Sequence, residues 1–226
     1  MLNILVSYPY ADNNILTLLA KHQDTVRVCI DSGAFTNWKQ GRETSVEEYM
    51  DFLEGLPIKP WKYFVLDKIG DAKVTRDNYR RMLDRGLDPI PIFTRGTALS
   101  ELEELYKTSN VVGVGVGVGS NNYRGYLKHV IDHNRDRPLH WMSKPPDPTV
   151  WKSIRTYGFN PKDLQQEGNW RGGRSMARIL GCQGWVRYAL DVKKRFDTEL
   201  FLACTTDYSI QLCIEAYHRE RELSVV

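Results

Sequence analysis

The sequence predicts an α/β fold, namely a TIM-type (β/α)8 barrel, complete or shortened, formed as one domain over residues 1–226. Short runs rich in β-branched residues alternate with stretches of helical periodicity, which is typical of a parallel sheet with helical crossovers. At least six such units follow one another in a chain of 226 residues. That number of units in one domain favours a barrel over an open doubly wound sheet.

The predicted strands are short apolar runs bounded by turn-forming residues. They cover residues 3–8, 26–30, 62–66, 89–93, 111–118 and 138–142. Helices are predicted between and after them, over residues 45–56, 73–83, 99–106, 122–133 and 148–157. Ser45 has the character of an N-cap with acids in the following turn, and Gly86 is a stop for the helix before it.

Polar side chains follow several predicted strands at the point where each ends. Asp31 and Ser32 come directly after the second strand, and Asp67 follows the third. Chemistry in such barrels takes place at the C-terminal ends of the strands, so two carboxylates on neighbouring strands predict a site there. Either Asp alone is equally well explained as a turn or capping residue. The other residues at strand ends are Ser7, Tyr8, Thr94, Arg95, Gly119, Ser120, Ser143 and Lys144.

The stretch "VVGVGVGVG" over residues 111–119 alternates valine with glycine. Glycine inside a strand marks a bulge or a close approach of a backbone or a ligand. A flat ligand such as a nucleobase could lie on the bare face formed by Gly113, Gly115, Gly117 and Gly119. The alternative is tight packing of a barrel interior around small residues.

Cysteine spacing and hydropathy exclude several classes of protein. Cys29, Cys182, Cys204 and Cys213 are scattered without a CxxC pair, so we expect free thiols, no disulfide framework and no metal site. There is no apolar run of about 18 residues for a membrane span, and the N-terminus lacks the features of a signal peptide. We therefore expect a soluble, intracellular protein that does not enter a membrane.

The charge is unevenly distributed along the chain. A net charge of +3 does not by itself indicate a nucleic-acid binder, but residues 152–195 carry ten Lys and Arg against three acids. Such a basic segment is typical of a surface that contacts a phosphate backbone, and the alternative is a solvated helix face.

Three segments together resemble the tRNA-guanine transglycosylase superfamily, particularly its compact phage-type members that exchange guanine for 7-deazaguanine in DNA. They are "IDSGAFTNW", "YFVLDKIGDAKVTRDNYRRMLDRGLDPIPIF" and "VVGVGVGVG". The resemblance covers roughly residues 28–120 and continues more loosely to about residue 180. It implies a TIM-type barrel and exchange of a base at C1′ of a nucleotide through a covalent glycosyl-enzyme intermediate.

The resemblance also implies roles for individual residues. Asp31 would contact the purine and take part in proton transfer, and Asp67 would hydrogen-bond the edge of the base. The glycine-rich strand from Gly113 to Gly119 would supply backbone contacts. The DSGAF turn would line the pocket with Ser32, Gly33 and Phe35.

The nucleophile of the family is an Asp that precedes a Trp and a Gly/Arg-rich turn. Here "FNPKDLQQEGNWRGGR" supplies the Trp and the turn, but the spacing to Asp163 differs from the family pattern. Asp163 is our first choice as nucleophile and Glu167 the second. Within the basic segment, we expect Arg171, Arg174 and Arg178 to bind nucleic acid.

The expected activity is therefore that of a pentosyltransferase that needs no cofactor. Its partners would be DNA and a 7-deazaguanine base resembling preQ0, and tRNA is the second choice because the Cys/His spacing of the zinc subdomain of the tRNA enzymes is missing. The expected compartment is the cytoplasm, which for a phage-encoded protein is that of the host. The alternatives are a tRNA-guanine transglycosylase, a nucleic-acid N-glycosidase on the same barrel, and a non-catalytic barrel that binds nucleic acid.

Overall fold

The structure, a computed structural model, describes residues 1–115, 123–134, 137–142, 156–159 and 173–224. Strands and helices alternate along these residues, and the paired strands run parallel, so the α/β prediction is confirmed. The described strands are β1 (Leu2–Ser7), β2 (Val26–Asp31), β3 (Lys62–Tyr63), β4 (Ile92–Thr94), β5 (Val112–Gly115), β6 (Leu139–Trp141), β7 (Thr156–Phe159) and β8 (Glu199–Ala203).

The eight described strands form one sheet in the order β3-β2-β1-β8-β7-β6-β5-β4. This order is a cyclic permutation of the order along the chain. A parallel bridge joins Phe64, just after β3, to Ile90, just before β4. The Ile90 N–H donates to the Tyr63 carbonyl at 2.7 Å, and the Val65 N–H donates to the Ile90 carbonyl at 3.0 Å. These hydrogen bonds join the segment at β3 to the segment that precedes β4.

The described helices lie between the strands and after the last one. A short 3₁₀ turn, Tyr8–Tyr10, follows β1. The α-helices are α1 (Asn13–Lys21), α2 (Ala34–Lys39), α3 (Val46–Glu54), α4 (Ala72–Asp84), α5 (Leu99–Thr108), α6 (Tyr123–Asn134), α7 (Gly173–Phe196) and α8 (Asp207–Leu223). None of the helices within the described ranges is both long enough and apolar enough to cross a membrane.

Helix boundaries follow the capping chemistry of the sequence. The Ser45 hydroxyl accepts from the Glu48 N–H at 3.1 Å while the Glu48 carboxylate accepts from the Ser45 N–H at 3.2 Å, which forms a capping box at the start of α3. Gly86, two residues after the end of α4, has a φ of +84°. Both predicted helix signals are confirmed.

The prediction of a helix over residues 148–157 is wrong at its end. Thr156 and Tyr157 lie in β7, which pairs with β6 on one side and with β8 on the other. Two flanking strands satisfy the backbone there, and this tertiary pairing outweighs the helical spacing of the apolar residues before it. Residues 148–155 lie outside the described part of the chain, as do residues 116–118 of the strand predicted over residues 111–118.

Aromatic rings fill the space between the strands, upstream of the strand ends. The rings of Phe64 and His140 lie 4.6 Å apart, and His140 lies 6.4 Å from Phe201. Trp61 stacks on Phe201 at 5.1 Å, and the Arg27 guanidinium lies over both rings. Burial lowers the pKa of His140 to about 3, so its imidazole is neutral at physiological pH.

Candidate active site

The register of β1 and β2 places Ser7 opposite Asp31 at the C-terminal ends of both strands. The Ser7 hydroxyl donates to Asp31 Oδ2 at 2.8 Å, and the Gly33 N–H donates to the same oxygen at 3.0 Å. Both hydrogen bonds favour the charged form of the carboxylate. Asp31 is therefore held in a fixed orientation at the end of β2.

The neighbouring carboxylate, Asp67, is tied to the turn after β2. Ser32 is fully buried, and its hydroxyl donates to Asp67 Oδ1 at 3.1 Å. Helix α4 holds the backbone on either side of Asp67, because the Asn78 amide donates to the Leu66 carbonyl at 2.8 Å and the Lys68 N–H donates to the Thr75 hydroxyl at 3.0 Å. The structure therefore brings Asp31, Ser32 and Asp67 together, as the strand-end argument predicts.

The two carboxylates influence each other's ionisation. Burial, followed by the negative charge of Asp31, raises the pKa of Asp67 to about 7, and the hydrogen bond from Ser32 opposes this rise. Burial also raises the pKa of Asp31, while the donors Ser7 and Gly33 work against it. Near neutral pH Asp67 therefore gains or loses a proton, and the charge of Asp31 influences this step, as is usual for interacting carboxylates.

Gly33 is required by the geometry of this turn. Its φ is +71°, in the left-handed region, and a Cβ added to it would lie 2.2 Å from Pro9 Cδ. Pro9 belongs to the 3₁₀ turn that follows β1. The turns after β1 and β2 thus pack against each other without space for a side chain. This packing fixes the position of the Gly33 N–H, from which Asp31 accepts a hydrogen bond.

Helix α2, which begins directly after Gly33, carries two exposed aromatic side chains. Phe35 is 49% exposed and Trp38 is 46% exposed. Their rings stack with centroids 5.8 Å apart and an interplanar angle of 24°. Lys39 Nζ lies 4.9 Å from the centroid of the Phe35 ring. Phe35, a predicted pocket residue, is thus at the surface next to the site.

Tyr49 is a residue near the carboxylates that sequence reasoning missed. It is fully buried on α3, and its hydroxyl donates to the Phe64 carbonyl at 3.0 Å. Burial, followed by the charge of Asp31, raises its pKa well above the ordinary value, so the phenol stays protonated. Its place on the apolar face of a helix gives it the sequence pattern of an ordinary core residue.

The glycine-rich strand is only partly described. A Cβ on Gly113 would lie 3.0 Å from Met142 Sδ and 3.2 Å from Phe64 Cε1, so tight packing accounts for this glycine. Gly115 is partly exposed, and a Cβ there would meet only ordinary contacts, at 3.5 Å or more. Substrate contacts by Gly113 and Gly115 stay a prediction, and Gly117 and Gly119 lie outside the described residues.

The predicted nucleophiles and part of the predicted nucleic-acid surface also lie outside the described residues. These are Asp163, Glu167 and Arg171. Arg174 and Arg178 lie in the first turns of α7. The roles of all five residues stay predictions.

A charged surface cavity lies elsewhere, between α5, α6 and the segment before β6. It is lined by Glu103, Asp132, His133 and Arg137. Arg137 holds Glu103 with two hydrogen bonds of 2.6 and 2.7 Å and keeps its pKa at about 2. His133 and Arg137 pair with Glu103, and Asp132 pairs with Lys128, so these charges form a structural network.

Metal-ligating groups are not clustered in the described ranges, where no three His, Cys, Asp or Glu side chains are placed to hold an ion. All four cysteines are free thiols, as predicted. No protein-family model matches the chain, and a search of curated proteins also finds no match.

Proposed function

We propose that this protein is a nucleic-acid guanine transglycosylase that exchanges guanine for a 7-deazaguanine base in DNA. The observation that carries the proposal is the pair Asp31 and Asp67, held at neighbouring strand ends by Ser7 and Ser32, with the pKa of Asp67 raised to about 7. Such a pair offers one carboxylate that accepts hydrogen bonds and one carboxyl group that exchanges a proton near neutral pH.

The chemistry of a guanine matches this pair. The base presents N–H donors along one edge, which a charged carboxylate accepts, and its ring nitrogens need a proton when it leaves the sugar. The two donors on Asp31 stabilise its charge, whereas burial favours the protonated form of Asp67. We therefore propose that Asp67 holds the proton and that Asp31 orients the base. The family resemblance implied proton transfer at Asp31 instead.

The exchange we propose proceeds in two steps, each a substitution at C1′. A carboxylate oxygen, from Asp163 or alternatively Glu167, attacks C1′. The C1′–N9 bond breaks with its electrons staying on guanine, and Asp67 gives its proton to the leaving base. The incoming 7-deazaguanine then returns a proton to Asp67 as its N9 bonds to C1′, which releases the carboxylate.

We also propose that the sheet closes into a TIM-type barrel between β3 and β4. The cyclic strand order and the backbone hydrogen bonds around Phe64 and Ile90 support this closure. In a closed barrel all strand ends surround one mouth, where the predicted contacts Ser32, Gly33 and Phe35 would meet a flipped base. DNA is proposed over tRNA because the three segments named above resemble the compact members of the superfamily that act on DNA.

Product analysis tests the proposal. The protein is incubated with guanine-containing DNA, or with tRNA, together with an isotope-labelled 7-deazaguanine, and the nucleosides are then analysed by mass spectrometry. We expect the label in DNA and an equal amount of free guanine. Guanine release with abasic sites instead would indicate an N-glycosidase, and label in tRNA alone would indicate the tRNA enzyme. If the protein neither releases guanine nor incorporates the label, a catalytic function would be contradicted. The remaining candidate would then be a barrel that only binds nucleic acid.

A further inference from the structure

The stacked pair on α2 has an arrangement that the carboxylate site does not explain. Phe35 and Trp38 are each nearly half exposed although they lie one helical turn apart and touch each other. Exposed single aromatics are ordinary on protein surfaces, but a stacked pair beside a site is typical of a surface that receives another flat group.

The two rings differ in what remains open to a ligand. Phe35 is engaged by Trp38 and by the Lys39 ammonium group. Trp38 is 46% exposed although it stacks on Phe35. Nearly half of its surface is therefore accessible to a ligand.

Two cations lie within four residues of Trp38 in sequence. Lys39 and Arg42 are exposed, and neither forms an ion pair with a residue in the described ranges. The acid nearest to them in sequence, Glu43, is instead paired with Lys68 at 2.5 Å. An exposed aromatic ring near two cations that form no ion pair with the described residues is complementary to a base and its phosphate.

The position relative to the carboxylates adds a physical reason for such binding. Helix α2 begins one residue after Gly33, whose N–H contacts Asp31. A guanine that leaves the base stack to reach Asp31 and Asp67 exposes the face of the base next to it. An aromatic ring beside the site replaces the lost stacking partner and lowers the cost of flipping.

We propose that Trp38, Lys39 and Arg42 bind the nucleotide adjacent to the target guanine in a single-stranded segment, with its base on Trp38 and its phosphate on the two cations. This inference rests on the proposed function for the identity of the target base. Stacking on an indole is tolerant of sequence, so the contact strengthens binding whichever base is the neighbour.

The test is fluorescence anisotropy of a labelled single-stranded oligonucleotide that contains one guanine. Trp38→Leu removes the flat ring but keeps an apolar side chain, and we expect it to weaken binding about ten-fold or more, while Trp38→Phe keeps most of the affinity. The double variant Lys39→Ala/Arg42→Ala should weaken binding and flatten its salt dependence. Matched controls far from the site are Leu223→Ala, an exposed apolar residue, and Lys59→Ala, an exposed lysine before β3; both should bind like the wild type.

Binding by Trp38→Leu within two-fold of the wild type would overturn this inference, and so would a wild-type protein that does not bind the oligonucleotide. Since the assay needs no turnover, it is separate from the proposed function. A Trp38-dependent affinity without base exchange would leave the inference standing and contradict the transglycosylase. Base exchange by the wild type, together with a Trp38→Leu affinity equal to that of the wild type, would support the transglycosylase and contradict this inference.

Discussion

The hydroxyl of Ser32, fully buried behind the strand ends, donates a 3.1 Å hydrogen bond to Asp67. Ser32 directly follows Asp31, so this bond ties the two carboxylates into one unit although 35 residues separate its partners in sequence. The ionisation of the pair consequently depends on a side chain that is closed to solvent.

Removing that hydroxyl should raise the pKa of Asp67. Its hydrogen bond stabilises the charged carboxylate, so Ser32→Ala is expected to shift the pKa upward from about 7, by about one unit. The shift is measured by carboxyl ¹³C NMR titration, with Ser100→Ala, an exposed serine on α5, as the control. A pKa that falls in Ser32→Ala would contradict the direction of this coupling.

Asp67 should also make stability depend on pH. Its folded-state pKa of about 7 lies above the ordinary 3.8, so the folded protein binds the proton more tightly than the unfolded chain does. The contribution of Asp67 to the free energy of unfolding is therefore lost as pH rises from about 4 to about 7. Asp67→Asn should be more stable than the wild type at pH 8 by about 1–3 kcal/mol, a range reduced for the partial exposure of the carboxyl group.

Urea unfolding at pH 4 and pH 8 measures that difference. We expect the wild type and Asp67→Asn to converge at pH 4, where the native carboxyl group is neutral. A wild type that is more stable than the variant at pH 8 would show that the charged form is the favoured one.

Gly33 should tolerate no side chain. Gly33→Ala adds strain at φ +71° and a clash with Pro9, and we expect it to lower the free energy of unfolding by about 3 kcal/mol or more. Gly41→Ala is the matched control, because φ is +64° there but nothing lies within 4 Å of the added Cβ. Its expected cost is the backbone strain alone, about 1 kcal/mol. Equal losses for both variants in urea unfolding would mean that Pro9 moves freely out of the way.

Local chemistry made parts of the fold predictable from the sequence. The capping box at Ser45 and the glycine at position 86 depend on nearest neighbours alone, and both were predicted. Strand β7 depends instead on pairing with β6 and β8, which lie far away in sequence, and was mistaken for the end of a helix. Helix α1 and strand β8 were not predicted at all, although Asp12 caps α1 through the Ile15 N–H.

The candidate site was likewise predictable only in part from the sequence. A parallel sheet brings strand ends together, so the proximity of Asp31 and Asp67 followed from the order of the strands. The bond from Ser7 to Asp31 needs the register of β1 against β2, and the constraint on Gly33 needs the position of Pro9. Both depend on three-dimensional packing that no sequence spacing encodes.

The central claim is that the Asp31–Asp67 pair serves base exchange, and the rate of exchange in variants tests it most directly. Incorporation of labelled 7-deazaguanine into DNA is followed for the wild type, Asp31→Asn and the control Asp24→Asn, an exposed residue in the turn before β2. We expect incorporation by the wild type and by the control, and a loss of about 100-fold or more in Asp31→Asn with its fold retained, because the base is no longer oriented by a charged carboxylate. No incorporation by the wild type, or an unchanged rate in Asp31→Asn, would contradict the account.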